Sequence, residues 1–354
     1  MSDDLEIHDG AYGSRGGAGH GPEDRDHNVA VPSAVSQRPS STLPVMKIAL
    51  VSPDQPLLDT TAALFWPVPV GGPIDGAYVA ACVTDPAVLT DADRLAAEIE
   101  GCDAVCSLLP MVDPPAGPLA YRWHARRRRR RVRALEALRD AVIATGIERW
   151  VQRSSTAVYA DGGATWLTEA SPVAPSPAVE TALRAEEAVA EFAAAGGDGV
   201  VLRMGALYGP DEQATANLVL TARRGWDPLV GPGYAYRSLV TTADAAAAVR
   251  AALVAPPGIY DVVDGDPLTV CELSHVLSVG VATELHPLGA LLSRPDSEIA
   301  NRSHRVAGGR LRATTGWAPM TPSAREGLPV AAQSIVAGAA RQRDHTGPRE
   351  LASS

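Results

Sequence analysis

Between residues 46 and 203 short apolar runs alternate with longer amphipathic stretches, and this alternation constrains the fold more than any other feature. Lys47–Val51, Tyr78–Val83, Ala104–Leu109, Arg149–Arg153 and Gly199–Arg203 predict strands. Several of these runs are apolar almost throughout, as strands buried on both faces must be. Between them, Asp91–Glu100, Arg126–Thr145 and Ala178–Ala195 predict helices. Gly146 suits the left-handed position that ends a helix, and Gly196-Gly197 closes the next one. Strands that alternate with helices need crossovers, and crossovers covering both faces give a doubly wound parallel α/β sheet.

Outside that core the composition shifts. Residues 1–45 are rich in Gly, Ser, Asp, His and Pro without periodicity and predict a disordered extension; Met46 offers an internal start. His8, His20 and His27 are scattered in that extension, which favours solvated histidines over a metal site. Residues 46–205 form the predicted doubly wound domain. Residues 206–339, with shorter elements and more Pro and Gly, predict mainly a small substrate-binding cap with elements returning to the sheet. Residues 340–354 predict a flexible tail.

A net charge of -10 gives no support for nucleic-acid or anionic-membrane partners. No run reaches the ~18 apolar residues of a membrane span. The opening MSDDLEIHDG lacks the basic and apolar regions of a signal peptide. Cys82, Cys102, Cys106 and Cys271 make neither a CxxC pair nor a disulfide framework, so a reducing cytoplasm is expected. Arg126–Arg131 is six consecutive arginines at the start of a predicted helix, where the dipole disfavours cations. The run suits a solvated face, or a surface that meets an anion or an acidic partner; no nucleic-acid module accompanies it. The chain has one lysine, Lys47, so any lysine-dependent chemistry must use that residue.

Several segments, taken in order, resemble the extended short-chain dehydrogenase/reductases, the NAD-dependent epimerase/dehydratase family. RWVQRSSTAVYADGG (150–163) resembles that family's strand and active-site serine loop, and VLRMGALYGP (201–210) its LR…YGP segment. YRSLVTTADAAAAV (236–249), GIYDVVDGDPLTVCEL (258–273) and RATTGWAPMTPSAREGL (312–328) resemble its later signatures. The resemblance spans about residues 46–330 and implies a Rossmann-type sheet with a small C-terminal substrate-binding domain. It also implies NAD or NADP, but the residues that would serve the cofactor depart from the pattern. Where the family has V-T-G-x-x-G-x-x-G, this chain has Pro53, Pro56 and Asp59 at the three glycine positions. Proline donates no N–H, and the turn needs N–H groups close to the diphosphate. The adenine-side aspartate corresponds to Cys82. The Tyr-x-x-x-Lys pair corresponds to Ala178 and Ala182, or with a shift of one to Val179 and Leu183, equally inert, and Lys47 cannot replace the lysine. The expectation is therefore no cofactor.

By the same resemblance Ser155 takes the place of the catalytic Ser/Thr, and Arg237 that of an arginine gripping a substrate diphosphate. Ser155, Thr156, Tyr159 and Glu180 are the candidate catalytic groups, and Asp161, Tyr208 and Arg237 the candidate substrate-binding ones. Three functions stay open. One is a repurposed, cofactor-independent enzyme of specialised metabolism performing a non-redox step (cyclisation, dehydration, isomerisation or lyase) on a small carbonyl or phenolic substrate. The second is a non-catalytic pseudoenzyme partner of an active homologue; whatever the function, a homodimer, or a heterodimer with an active homologue, is a possible assembly. The third is an NAD(P)-dependent nucleotide-sugar 4-ketoreductase or epimerase.

Overall fold

The computed structural model describes residues 46–53, 55–64, 77–112, 118–286 and 298–345. The predicted extension, residues 1–45, lies outside these, as do the last residues of the predicted tail. The strands in chain order are β1 (Met46–Val51), β2 (Ala77–Val83), β3 (Ala104–Ser107), β4 (Arg149–Ser155), β5 (Trp166–Leu167) and β6 (Asp198–Met204). They continue with β7 (Ala206–Tyr208), β8 (Tyr236–Arg237), β9 (Leu239–Thr241), β10 (Gly258–Val262), β11 (Leu268–Thr269) and β12 (Arg305–Val306). Six of them make one parallel sheet in the order β2-β1-β3-β4-β6-β10, and the rest pair off in twos. The order reverses direction between β1 and β3. In such sheets ligands bind outside the carboxyl ends of the strands, at this reversal.

Successive side chains of a strand point to opposite faces, and both faces are covered. On one face α2 (Ala92–Ile99), α3 (Pro118–Thr145) and α4 (Glu180–Ala194) cover the sheet, with Leu95, Leu135, Leu138 and Phe192 packed among Ala49, Val51 and Trp150. On the other, Leu57 and Leu58 of α1 (Gln55–Leu64) and Ala245 and Val249 of α6 (Thr242–Ala252) pack among Ile48, Leu50 and Val151. The apolar runs of the sequence follow from this double coverage. A third cluster joins α5 (Gln213–Ala222), α7 (Val270–Val281) and the last helix, and includes Leu273, Leu277 and Leu328. After α8 (Glu298–Asn301) and α9 (Gly309–Thr315), that last helix, α10 (Ala324–His345), runs into the predicted tail. Among the described residues no helix is long and apolar enough to cross a membrane.

Local signals set the helix ends. Asp91 caps α2 by accepting from the Arg94 N–H at 3.2 Å. Thr269 and Glu272 form a reciprocal capping box on α7. Gly146 ends α3 at φ +69°, as expected for that glycine.

One expectation for α3 changes. The helix begins at Pro118, eight residues before Arg126, so the arginine run sits about two turns inside it and away from the dipole's positive end. Proline at the first position needs no partner for an N–H it lacks, which is why the helix starts there. The run also winds around the helix: Arg131 turns inward and donates to the Pro110 carbonyl at 2.9 Å, while Arg126, Arg129 and Arg130 face solvent.

Candidate functional site

The carboxyl ends of β1, β3 and β4 bring three serine-bearing segments together. Ser52, just past β1, donates to the Leu108 carbonyl beyond β3 at 3.1 Å, and the Leu108 N–H donates back to Val51 at 2.9 Å. Ser155 ends β4 and is half-buried; its Oγ accepts from the Ala157 N–H at 3.2 Å and caps a short turn over Thr156–Val158. Thr156 is buried, and its carbonyl accepts from the Tyr159 N–H in that turn. The Ser52 and Ser155 hydroxyls stand at the carboxyl edge of the sheet, engaged with local backbone.

Tyr159 is fully buried. Its hydroxyl lies 2.8 and 2.9 Å from the two carboxyl oxygens of Asp261 on β10, and the Arg203 guanidinium is 4.9 Å from its ring. Burial, and then the neighbouring Asp261, raise the phenol well above its usual range. Arg203 on β6 donates twice to Glu186 of α4, at 2.9 and 2.7 Å, and Ser154 donates to the same carboxylate at 2.6 Å. The Asp261 N–H donates to Glu169 at 3.1 Å. Four elements (β4, β6, β10 and α4) and the two loops that carry Tyr159 and Glu169 are thus tied beneath the strand ends by a polar network. Burial pushes the Asp261 carboxyl up to about 8.

The other expected site residues separate into two groups. Asp161 accepts from the Ser303 N–H at 2.8 Å and the Gly163 N–H at 3.1 Å, and these bonds hold its carboxyl below the ordinary range. Arg237 donates to the carbonyls of Tyr236, Arg302, Val230 and Ala300 at 2.7–3.3 Å. Both residues fasten the 300–304 segment to the rest of the chain, and Arg237 is taken up by four carbonyls rather than turned to an anion. Arg237→Met is expected to lower stability by about 2–4 kcal/mol in urea unfolding, because it leaves those carbonyls without a charged donor. Tyr208 is buried, and its hydroxyl has no hydrogen-bond partner among the described residues. Glu180 is exposed at the first turn of α4, where the helix dipole favours a carboxylate.

The Arg302–His304 segment and the buried Asp261 escaped the sequence reading. Arg302 donates to the Tyr159 and Ala174 carbonyls at 3.3 and 2.9 Å, and His304 Nε2 lies 3.1 Å from the same Tyr159 carbonyl. Burial lowers the His304 ring to about 4, so it stays neutral there. For Asp261 a signal was present: a carboxylate inside the apolar run IYDVV needs a buried donor. For Arg302 and His304 nothing local pointed to the serine loop. A cleft of ≈ 430 Å³ also exists, at the opposite edge between the ends of α3 and α4, lined by Ile143, Glu148, Phe192 and Asp198 among others. None of the expected site residues lines it. Among the described residues no group of three His, Cys, Asp or Glu could hold a metal ion.

The positions that would serve a dinucleotide are on the same edge. Ser52 is buried, Pro53 is exposed, and α1 starts at Gln55 with Pro56 in its first turn. The two prolines remove N–H groups where a diphosphate would need them, and Asp59 adds a carboxylate on the exposed side of α1. Cys82 stands on β2, its thiol raised by burial and then by Asp59. The first turn therefore does not fit a dinucleotide held by a glycine-turn cradle. Ala182 is fully buried in α4, and Lys47 is the second residue of β1, near the opposite, amino-terminal edge of the sheet.

The family model described as the NAD dependent epimerase/dehydratase family matches residues 85–262, beginning just after β2. Among solved structures, the chain is similar to DesIV, a dTDP-glucose 4,6-dehydratase from Streptomyces venezuelae solved with NAD and TYD. That similarity has a TM-score of 0.66 and 19% identity over 84% of this chain and 98% of DesIV. The UDP-glucose 4-epimerase of Thermotoga maritima, solved with UDP-glucose, gives a TM-score of 0.63 and 18% identity over 83% of this chain and 100% of the epimerase. The UDP-glucose 4-epimerase of Thermus thermophilus, solved with NAD, gives 0.64 and 18% over 82% and 99%. No curated protein sequence matches the chain. These matches overturn the expectation of no cofactor: the matched family is NAD dependent, and two of these neighbours hold NAD. The altered first turn bears on how a dinucleotide would be held, and it was too narrow a basis for excluding one.

Proposed function

This chain belongs to the NAD dependent epimerase/dehydratase family, and from that premise we propose that it is a non-catalytic member, one that keeps the scaffold as a ligand-binding protein without the proton relay. The carrying observation is the fully buried methyl group of Ala182, at the position where the resemblance calls for a lysine ammonium. Ala178 occupies the tyrosine position, four residues earlier on the same segment. Lys47 stands near the amino-terminal end of β1, four residues or about 13 Å from the strand's carboxyl end. Hydride chemistry on an alcohol or carbonyl needs a group to take or give the hydroxyl proton. Ser155 alone does not supply one: its Oγ accepts from the Ala157 N–H, and among the described residues no basic side chain hydrogen-bonds it.

The nicotinamide dinucleotide belonging to the family enters this reading as a ligand. Nucleotide sugars, which solved neighbours contain, are the first companion ligands to try. A non-redox enzyme built on Tyr159 has less support, because that hydroxyl is fully buried against Asp261.

The test is a pair of measurements on the full chain. NADH and NADPH binding is followed by nicotinamide fluorescence. Turnover is followed by nicotinamide absorbance, with NAD or NADP and UDP-glucose or dTDP-glucose, and by sugar analysis of the products. The expected result is no turnover above buffer, whatever the binding, and no difference between the natural chain and Ser155→Ala. Turnover that co-purifies with the protein and falls in Ser155→Ala would overturn the reading.

A further inference from the structure

The order of the sheet reverses between β1 and β3, and two arginines meet the chain just beyond β3 at that point. Arg153 lies on the face of β4 that Val151 shares, the face covered by α1 and α6, and its Nη1 donates to the Leu108 carbonyl at 3.3 Å. Arg131 comes from α3 on the other face, and its Nη1 donates to the Pro110 carbonyl at 2.9 Å. Those carbonyls are two residues apart, at most about 7 Å along the chain. A half-buried and a buried guanidinium thus hold one short loop from two elements. The donors that the β1 turn would offer are spent or missing. The Ser52 N–H goes to the Val83 carbonyl at 3.1 Å and its hydroxyl to the Leu108 carbonyl at 3.1 Å, while Pro53 and Pro56 have no N–H. Asp59 and Asp85 expose carboxylates near the same edge, so what favours an anion there is the pair of guanidiniums.

We propose that Arg153 and Arg131 form a diphosphate-binding site at this reversal, with two guanidiniums in place of the backbone N–H groups of a glycine turn. Open parallel sheets receive ligands outside the strand ends at such a point. A guanidinium carries five N–H donors in a rigid fork, matches phosphate oxygens in bidentate fashion and stays charged. The carbonyl bond takes one donor of each and fixes where the fork stands. A diphosphate has oxygens on two phosphorus atoms, which suits two forks that reach one loop from different elements. The inference rests on the reading of the chain as a ligand-binding protein and adds which residues hold the ligand. That diphosphate has two sources, a nicotinamide dinucleotide and a nucleotide sugar, and both present the same group to the arginines.

The test is calorimetric titration of the full chain at low salt with NADH, UDP-glucose and inorganic pyrophosphate. At least one of the two nucleotides is expected to bind, to be displaced by pyrophosphate, and to bind more weakly as salt rises. Arg153→Gln should bind that nucleotide at least about tenfold more weakly, with its Tm little changed. Binding of NADH alone identifies a dinucleotide as the source, and binding of UDP-glucose alone a nucleotide sugar. Should Arg153→Gln fail to fold, Arg131→Gln carries the test with the same expected loss, and displacement by pyrophosphate on the natural chain needs no variant. The proposal is overturned if neither nucleotide binds, or if pyrophosphate does not displace the bound one. It is also overturned if folded Arg153→Gln binds as tightly as the natural chain. Failure of the non-catalytic reading is distinct: it shows as turnover, which leaves these binding results standing.

Discussion

Asp261→Asn is expected to unfold at a higher urea concentration than the natural chain near pH 8, by about 2–5 kcal/mol, and the gain should disappear below about pH 4. Asp261 is fully buried on β10, and burial pushes its carboxyl up to about 8 from an ordinary 3.8. Between those values the folded chain retains a proton that the unfolded chain has released. Raising the pH through that window therefore favours unfolding, and the stability present below about 4 is lost by about pH 8. Asparagine keeps the shape and an acceptor for Tyr159 and does not titrate. The check is a series of urea curves at several pH values for both chains. Parallel pH profiles would show that Asp261 titrates normally in the folded state.

The second large effect lies one strand away. Arg203→Met is expected to cost about 3–5 kcal/mol, because it orphans Glu186 beneath the sheet edge. The pair is well shielded, with side-chain exposures of 5% and 13%, and Ser154 also donates to the same carboxylate. Glu186→Gln should cost a similar amount by leaving the guanidinium without its counter-charge. Arg203 Nη1 has no hydrogen-bond partner among the described residues, so the pair does not fully compensate its own desolvation. The double variant Arg203→Met/Glu186→Leu should therefore recover most of either loss. If the double variant is as unstable as the two singles added together, the network holds the loop by something other than the ion pair.

Much of the sheet was legible because each central strand is covered on both faces, which imposes continuous apolar runs such as Ile48–Val51 and Ala104–Ser107. The glycine after α3 was legible because a left-handed residue there has few alternatives. The start of α3 was not, since Pro114, Pro115, Gly117 and Pro118 read as a turn and the arginine run that follows masks the helical spacing of Leu119 and Trp123. The partners of Tyr159, Asp161 and Arg237 were not legible, for a common reason. A tyrosine, a carboxylate and an arginine near strand ends look the same in sequence whether they face a ligand or a neighbouring loop. Their partners, Asp261, Ser303 and the carbonyls of Val230, Ala300 and Arg302, mostly lie tens of residues or more away.

The expectation of no cofactor shows the converse hazard. Three altered glycine positions describe one turn, whereas the match to an NAD dependent family extends over residues 85–262, beyond that turn. What the sequence by itself determined is the parallel α/β class and the absence of a tyrosine-plus-four lysine. The first follows from local periodicity, and the second from there being one lysine, Lys47, at the start of a strand. What only the tertiary structure decided is which polar groups are buried together: Asp261 with Tyr159, Arg203 with Glu186, and Arg131 turned inward while Arg126, Arg127, Arg129, Arg130 and Arg133 remain exposed. Those pairings depend on strand order and on which face each helix covers, and residues distant in the chain meet only once the sheet has assembled.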